Sequence, residues 1–292
     1  MIPKWFLTLC TALLLATANQ SPAAGQAPQP LPSDTKPIQV FLTASGKNAP
    51  SELPPQADLS VFIDKQPAQI LSLSPAREDK LLFALLIDIS TSEAREADPI
   101  RKAAWQIFES LSSEGNQGYL VFFSHEVIRS NVPLQPASAR TDLDQVKFGG
   151  GTALFDAIGT TCRKALRRSA NPDAPRRAIL LLSDGEDNSS RYTLKEAEEA
   201  AEVEGVAIFS LSKAGSPSGE QKLEKAGQDT GGLSIVADEL GSGVAPLLAA
   251  VHGQWKLTLR PQQAPDQKLH SLEIKISQKS VRISAPARIP LQ

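Results

Sequence analysis

The chain has 292 residues, of which 41% are apolar and 21% are charged, and this composition is typical of a globular protein with a sizeable core. Its length allows one large domain or two modest ones. The formal net charge of -2 provides no strong basic field, which argues against a protein that binds nucleic acid or anionic membranes.

The N-terminal residues predict a secretory signal that is not part of the fold. Lys4 gives a positive start, and the apolar run from Trp5 to Ala16 is too short to span a bilayer. Small residues at positions 16 and 18 match a cleavage site, so we expect residues 1–18 to be removed on export. Cleavage leaves Cys162 without a disulfide partner. Since no later run is long and apolar enough to cross a bilayer, we expect no stable membrane insertion after cleavage.

Short strands follow a proline-rich stretch. Residues 19–37 contain five prolines among Gln, Ala and Ser, which predicts an extended linker. The next segments alternate apolar and polar residues and predict the first part of a β module, residues 38–78. Its predicted strands are Ile38–Leu42, Leu59–Ile63 and Ala68–Leu73, with Asp64–Pro67 as a turn.

From Leu81 the pattern changes to strands that alternate with helices. The predicted strands are continuous apolar runs, as expected for parallel strands covered on both faces. They cover Leu81–Ile87, Tyr119–Phe123, Ala178–Leu182, Val206–Leu211 and Leu233–Val236. The first predicted helix has Asp98 as its cap and Pro99 in its first position. A capping box of Thr193 and Glu196 begins another, which ends near Gly205. The remaining predicted helices cover Leu154–Leu166, Gln221–Ala226 and Val244–Val251. This order predicts an α/β fold with a doubly wound, mostly parallel sheet over residues 79–253.

The alternation of apolar and polar residues returns after Gln254. Predicted half-buried strands cover Trp255–Leu259, Leu272–Ile276 and Val281–Ile283. Because the β-rich pieces at each end are too short to be stable alone, we expect residues 254–290 to pack with residues 38–78. The α/β domain would then be inserted into one small antiparallel module.

Three polar segments lie after predicted strands or before a predicted helix. They are Asp88–Ser92, Gly149–Leu154 and Ser183–Asp187. Ligands bind at the carboxyl ends of the strands in doubly wound sheets, so these segments should meet there. Their carboxylates and hydroxyls are all oxygen donors, which suit Mg²⁺, Mn²⁺ or Ca²⁺. Because few carboxylates are available, the ion would stay positive enough to accept a carboxylate from a partner protein.

This constellation resembles the metal-ion-dependent adhesion site (MIDAS) of the von Willebrand factor type A (VWA) domain. That site has the pattern Asp-x-Ser-x-Ser, followed by a distant Thr and a distant Asp. The matching residues are Asp88, Ser90, Ser92, Thr152 and Asp184. The resemblance covers about Lys80 to Gly253 and implies that the two serines and Thr152 ligate the ion directly. It implies that the two aspartates act largely through water.

The flanking segments resemble an exported bacterial subgroup, the VWFA-related proteins first noted in Acidobacteria. The hairpin Phe62–Ile70 and the strands His270–Ile276 and Val281–Ala285 carry this similarity. The hairpin departs from the subgroup pattern because Lys65 replaces the usual glycine.

Simpler interpretations explain only some of these residues. A capping cluster would explain one of the residues at positions 88–92, but not Thr152 and Asp184. A solvated loop explains Glu186 and Asp187. The scattered histidines support neither a histidine metal cluster nor a catalytic triad. The glycine run before Thr152 lacks the lysine of a phosphate loop, so we expect no nucleotide.

The sequence therefore predicts an exported, non-enzymatic module, periplasmic or secreted, that binds a divalent cation and grips an acidic residue of a protein partner. A metal-dependent hydrolase is the first alternative, with His125 or Glu186 as its base. A structural envelope component with an incidental metal site is the second.

Overall fold

A computed structural model describes residues 35–46, 56–169, 171, 173–266, 268–277 and 281–291. The predicted signal peptide and most of the predicted linker lie outside these residues. The strands are β1 (Ile38–Gly46), β2 (Leu59–Ile63), β3 (Gln66–Pro67), β4 (Gln69–Pro75), β5 (Leu81–Asp88), β6 (Gln117–Phe123), β7 (Val127–Arg129), β8 (Arg176–Leu182), β9 (Val206–Lys213), β10 (Leu233–Ala237), β11 (Gln254–Arg260), β12 (Leu269–Ile276), β13 (Val281–Ser284) and β14 (Arg288–Pro290). The helices are α1 (Ala97–Ser113), α2 (Pro136–Gln145), α3 (Leu154–Lys164), α4 (Leu194–Glu204), α5 (Pro217–Thr230) and α6 (Leu240–His252).

The central sheet has six strands in the order β10-β9-β8-β5-β6-β7. All neighbours are parallel except β7, which runs antiparallel to β6. Successive side chains of a strand point to opposite faces, and β5 shows this directly. Phe83, Leu85 and Ile87 pack in a core with α1, α2 and α6, whereas Ala84 and Leu86 pack in a second core with α3, α4 and α5. Helices on both faces confirm the predicted doubly wound, mostly parallel α/β sheet.

Helix α1 has the predicted apolar face but not the predicted start. Its buried residues are Ile100, Ala103, Ala104, Ile107, Phe108 and Leu111, as the periodicity indicated. The helix begins at Ala97 after a short 3₁₀ turn, Ser92–Glu96, and no side chain caps it. Asp98 lies inside the first turn and pairs instead with Arg101 at 2.9 Å, so its predicted capping role is wrong.

Helix α4 begins and ends as its sequence predicts. The Thr193 hydroxyl accepts a hydrogen bond from the backbone N–H of Glu196, and the Glu196 carboxylate accepts one from the backbone N–H of Thr193. This reciprocal pair is the predicted capping box. Gly205 ends the helix in the left-handed conformation, with φ 64°.

Strands from both ends of the described chain pair with one another in two antiparallel sheets. Their orders are β13-β1-β11-β4 and β14-β12-β2-β3. β11 lies between β1 and β4, and β12 pairs with β2, so C-terminal strands complete N-terminal sheets. Their inner faces form a third core. These pairs confirm the antiparallel β module formed by both ends, whereas the domain boundaries at residues 78/79 and 253/254 stay predictions.

Three short strands and one helix were not predicted. The predicted turn Asp64–Pro67 is shorter than expected, because Gln66–Pro67 forms β3 and only Asp64 and Lys65 make the turn. β7 and β14 have three residues each. Helix α2 buries only Ala139 and Leu143, which leaves too little apolar periodicity to identify it.

Buried polar contacts join the β module to the α/β domain. Arg176, at the start of β8, donates to the side chain of Gln254, the first residue of β11, at 2.9 Å. Thr43 in β1 donates to the carbonyl oxygen of Gly231 at 2.7 Å.

Within the described residues, no helix combines the length and the apolar character needed to cross a bilayer.

Candidate metal centre

The three polar segments come together at one edge of the central sheet. Asp88 ends β5, Ser183 follows β8, and Thr152 precedes α3. The backbone N–H of Thr91 donates to the carbonyl of Gly150 at 3.1 Å, and that of Asn188 donates to the carbonyl of Thr152 at 3.0 Å. These bonds tie the first loop to the second and the second to the third.

Close approaches at two glycines fix the loops. Gly150 has φ 91°, and a Cβ there would lie 2.5 Å from Nδ1 of His125. The loop of Asp184 packs against the first turn of α5, where a Cβ on Gly219 would lie 1.9 Å from the carbonyl oxygen of Asp184. A side chain at Gly219 would displace the backbone of the Asp184 loop, and at Gly150 the positive φ strains any residue other than glycine.

Asp88 is fully buried and is oriented from two sides. The backbone N–H of Ser90 donates to its Oδ1 at 2.9 Å, and the Ser183 hydroxyl donates to its Oδ2 at 2.8 Å. Ser183 in turn accepts from the backbone N–H of Gly185 at 3.1 Å. Ser183 belongs to the third polar segment, but no role was predicted for it. In the structure it is a positioning residue for Asp88.

The predicted hydroxyl ligands lie on the first and second loops. The hydroxyls of Ser90 and Ser92 are hydrogen-bonded at 3.0 Å; Ser90 is buried and Ser92 is exposed. Thr152 is buried, and its backbone N–H donates to the side chain of Asn188 at 2.9 Å. All five predicted residues thus lie on these loops, while their role as ligands stays a prediction.

Helix α3 takes its N-terminal cap from the third loop. Its own N-cap residue, Ala153, offers no side-chain acceptor. The Asp187 carboxylate accepts from the backbone N–H of Phe155 at 3.2 Å, and Ser190 accepts from that of Asp156 at 3.0 Å. The interpretation of Asp187 as a solvated loop residue is therefore wrong, because this side chain anchors the helix behind Thr152.

A third carboxylate, which the sequence analysis did not include, joins the two predicted ones. One side-chain oxygen from each of Asp88, Glu93 and Asp184 lies within 4.8 Å of the other two. Asp88 and Glu93 are buried and Asp184 is half-buried. In the sequence, Glu93 is visible only as an acidic residue directly after Ser92. Its inward direction depends on the 3₁₀ turn, which the sequence did not predict.

Burial and mutual repulsion make this cluster costly when it is charged. Burial raises the pKa of Asp88 to about 6, against the opposing hydrogen bonds from Ser90 and Ser183. Burial, together with the charges of Asp88 and Asp184, raises the pKa of Glu93 to about 8. A divalent cation would reverse this balance by favouring the charged carboxylates. The oxygen donors and the acidic cluster fit such an ion.

The other candidates lie apart from this cluster or are already engaged. Glu186 accepts from Ser216 at 2.6 Å and pairs with Lys222 at 2.8 Å. His125 is exposed and lies beside Gly150. Cys162 is buried in the core, as expected. His252 pairs with Glu114, and His270 lies in the β module.

Comparisons with known proteins show a shared fold. No family model matches the sequence, and a search of curated proteins finds no match. A von Willebrand factor type A structure from Catenulispora acidiphila is 11% identical, covers 89% of this chain and 74% of its own, and has a TM-score of 0.50. Proximal thread matrix protein 1 from the mussel byssus is 15% identical, covers 65% of this chain and 50% of its own, and has a TM-score of 0.51. At these identities the likeness concerns the fold alone.

Proposed function

We propose that this chain, which has the von Willebrand factor type A fold, binds a divalent cation at the edge of its central sheet and uses the ion to engage a protein partner. The ligands would come from Asp88, Ser90, Ser92, Thr152 and Asp184 on the three loops. The ion would be Mg²⁺, Mn²⁺ or Ca²⁺, because the donors are all oxygen.

One observation carries this proposal. Oxygens of three carboxylates, two of them buried, lie within 4.8 Å of one another. Like charges at this separation repel strongly where little water reaches them, and a divalent cation converts the repulsion into attraction. A pair of serine hydroxyls lies on the loop that also carries Asp88 and Glu93, and it supplies neutral donors.

The partner would supply an acidic side chain. Ser92 is exposed and Asp184 is half-buried, so solvent reaches this side of the cluster. An ion bound there remains accessible to a carboxylate from another protein. The predicted signal peptide would place this interaction outside the cytoplasm, in the periplasm or beyond it.

We propose a binding module in preference to a metal-dependent hydrolase. A hydrolase needs a general base beside the ion. Glu186 is held by Lys222 and Ser216, and these hydrogen bonds lower the pKa of its carboxyl. His125 is exposed on a loop beside Gly150, and among the described residues its one side-chain partner is Ser124, at 3.4 Å.

Titration calorimetry with Mg²⁺, Mn²⁺ and Ca²⁺ tests the proposal. We expect the wild type to bind at least one of these ions and Asp88→Ala and Asp184→Ala to lose binding, because each removes a carboxylate from the cluster. Asp98→Ala is the matched control, since its exposed carboxylate contacts only Arg101 among the described residues. Capture of a partner from the native organism should then need the ion and fail with a chelator or with Asp88→Ala. A wild type that binds none of the three ions would contradict the proposal.

A further inference from the structure

Glu93 is directed into the site by the short 3₁₀ turn that follows Ser92. It is the buried residue of that turn, with 9% of its surface exposed. The backbone N–H of Glu93 donates to the carbonyl of Ser90 at 3.2 Å, which holds the turn against the first loop. A glutamate is seldom this buried without a compensating charge.

The backbone of Asp184 and the more distant side chain of Lys213 offset only part of the charge of Glu93. Its neighbours in the site are oriented: Asp88 accepts from Ser90 and Ser183, and Asp184 accepts from the backbone N–H of Glu186. Glu96, three residues along the same turn, pairs with Lys213 at 2.6 Å. Among the described residues, no side chain donates a hydrogen bond to Glu93 or forms an ion pair with it. Burying a carboxylate without such a side-chain partner costs free energy that a bound cation would offset.

The spacing of the three carboxylates suits a shared ion. Calcium–oxygen bonds are about 2.3–2.6 Å long, so two oxygens bound to one ion lie at most about 4.6–5.2 Å apart. The Glu93 oxygen is within 4.8 Å of the oxygens of Asp88 and Asp184. An ion at the centre of three oxygens that are 4.8 Å apart lies about 2.8 Å from each, so a small movement of the side chains brings all three to the calcium–oxygen distance.

We propose that Glu93 is a further ligand of the cation, an internal carboxylate beyond the five residues of the predicted site. This inference rests on the proposed function. Two carboxylates balance a divalent ion, whereas a third gives the loaded site a net charge of about -1. Glu93 therefore strengthens the hold on the cation and weakens the attraction of the loaded site for an acidic partner.

Calorimetry with Mn²⁺ on Glu93→Gln tests this role, because the amide keeps the shape of the side chain and removes its charge. Loss of a residue that only supports a ligand costs about 10–100-fold in metal affinity, so loss of a ligand should cost at least about tenfold. Glu96→Gln is the matched control, because it removes the same charge from the same turn. The Mn²⁺ affinity of this variant should stay within about twofold of that of the wild type.

A second readout separates coordination from charge. Tb³⁺ luminescence lifetimes in H₂O and D₂O count the water molecules on the bound ion. We expect at least one more water in Glu93→Gln and also in Glu93→Asp, which keeps the charge but withdraws the carboxylate by one methylene. If the wild type binds Mn²⁺ and both variants match its affinity and water count, Glu93 is not a ligand and the five-residue site stands. If the wild type binds no ion, this inference and the proposed function both fail.

Discussion

Individual side chains around Asp88 decide what the site can do. Asp88 is fully buried, and its two oxygens are held by the backbone of Ser90 and by the hydroxyl of Ser183. Both bonds keep the carboxylate in one orientation before any ion arrives. Such support matters because metal affinity depends on ligands that are already in place.

Replacing Ser183 with alanine tests this support. We expect a loss of about 1–3 kcal/mol in the free energy of unfolding, because a buried carboxylate oxygen loses its donor. Metal affinity should fall by about 10–100-fold for the same reason. Chemical denaturation and Mn²⁺ calorimetry give the two values. Ser113→Ala is the control, since within the described part of the chain that exposed hydroxyl bonds only to the carbonyl of Ser110. Unchanged affinity in Ser183→Ala would mean that the backbone bond from Ser90 alone positions Asp88.

At the scale of elements, one loop anchors a helix and one tight turn has a strained backbone. Helix α3 relies on Asp187 from another loop for its cap, so the helix that follows Thr152 forms together with the third loop. The hairpin between β2 and β3 turns over two residues, Asp64 and Lys65, both with positive φ, at 48° and 66°. Aspartate tolerates this conformation better than lysine, because its short polar side chain can hydrogen-bond locally.

We expect Lys65→Gly to stabilise the protein by about 0.5–1 kcal/mol. The left-handed conformation costs an L-residue about 1–2 kcal/mol, and glycine removes this strain. The greater conformational entropy of glycine in the unfolded chain offsets part of the stabilisation. Thermal denaturation at fixed pH measures the change. Lys65→Ala removes the same exposed side chain but keeps the strain, so it should not raise the melting temperature. Equal effects of the two substitutions would show that strain in this turn is negligible.

At the scale of the whole molecule, one histidine adds an ionisable contact to the strand pairs that join the N-terminal and C-terminal segments of the β module. His270 in β12 bonds to Asp64 at 2.6 Å and to Asp266 at 2.7 Å, and Asp64 also accepts from the backbone N–H of Ser271 at 2.9 Å. Burial opposes the charged ring, but the hydrogen bonds to the two carboxylates raise the pKa of His270 overall. This contact therefore adds an electrostatic contribution to a β module whose strands and core already join the N-terminal and C-terminal segments.

This contact predicts a pH dependence of stability. A histidine with a raised pKa contributes stability that is fully present below its unfolded value of about 6.5 and is lost as the pH rises through the folded value. We therefore expect the difference in melting temperature between wild type and His270→Gln to be larger at pH 6 than at pH 9. Scans of both proteins in the same metal buffer cancel the contribution of the metal site. Parallel curves for the two proteins would show that the ring is not charged in the folded state.

Sequence patterns predicted much of the fold because they are local. The continuous apolar runs of β5, β8 and β9, the apolar face of α1 and the capping box of α4 depend on the immediate sequence, and the structure confirms each. Alternation at both ends of the chain predicted the β module. Helix α2 was not predicted because it buries only two side chains. The predicted start of α1 was wrong because a 3₁₀ turn takes the place of a capped first turn.

The sequence by itself determined the type of sheet and the loops on which the five predicted site residues lie, because alternating strands and helices give parallel strands whose carboxyl ends share one edge. Only the tertiary structure decided which side chains face one another across those loops. Ser183 beside Asp88, Asp187 at the start of α3 and Glu93 within 4.8 Å of two aspartates all depend on how separate loops pack. Those distances depend on packing over long sequence separations, and no local pattern of residues encodes them.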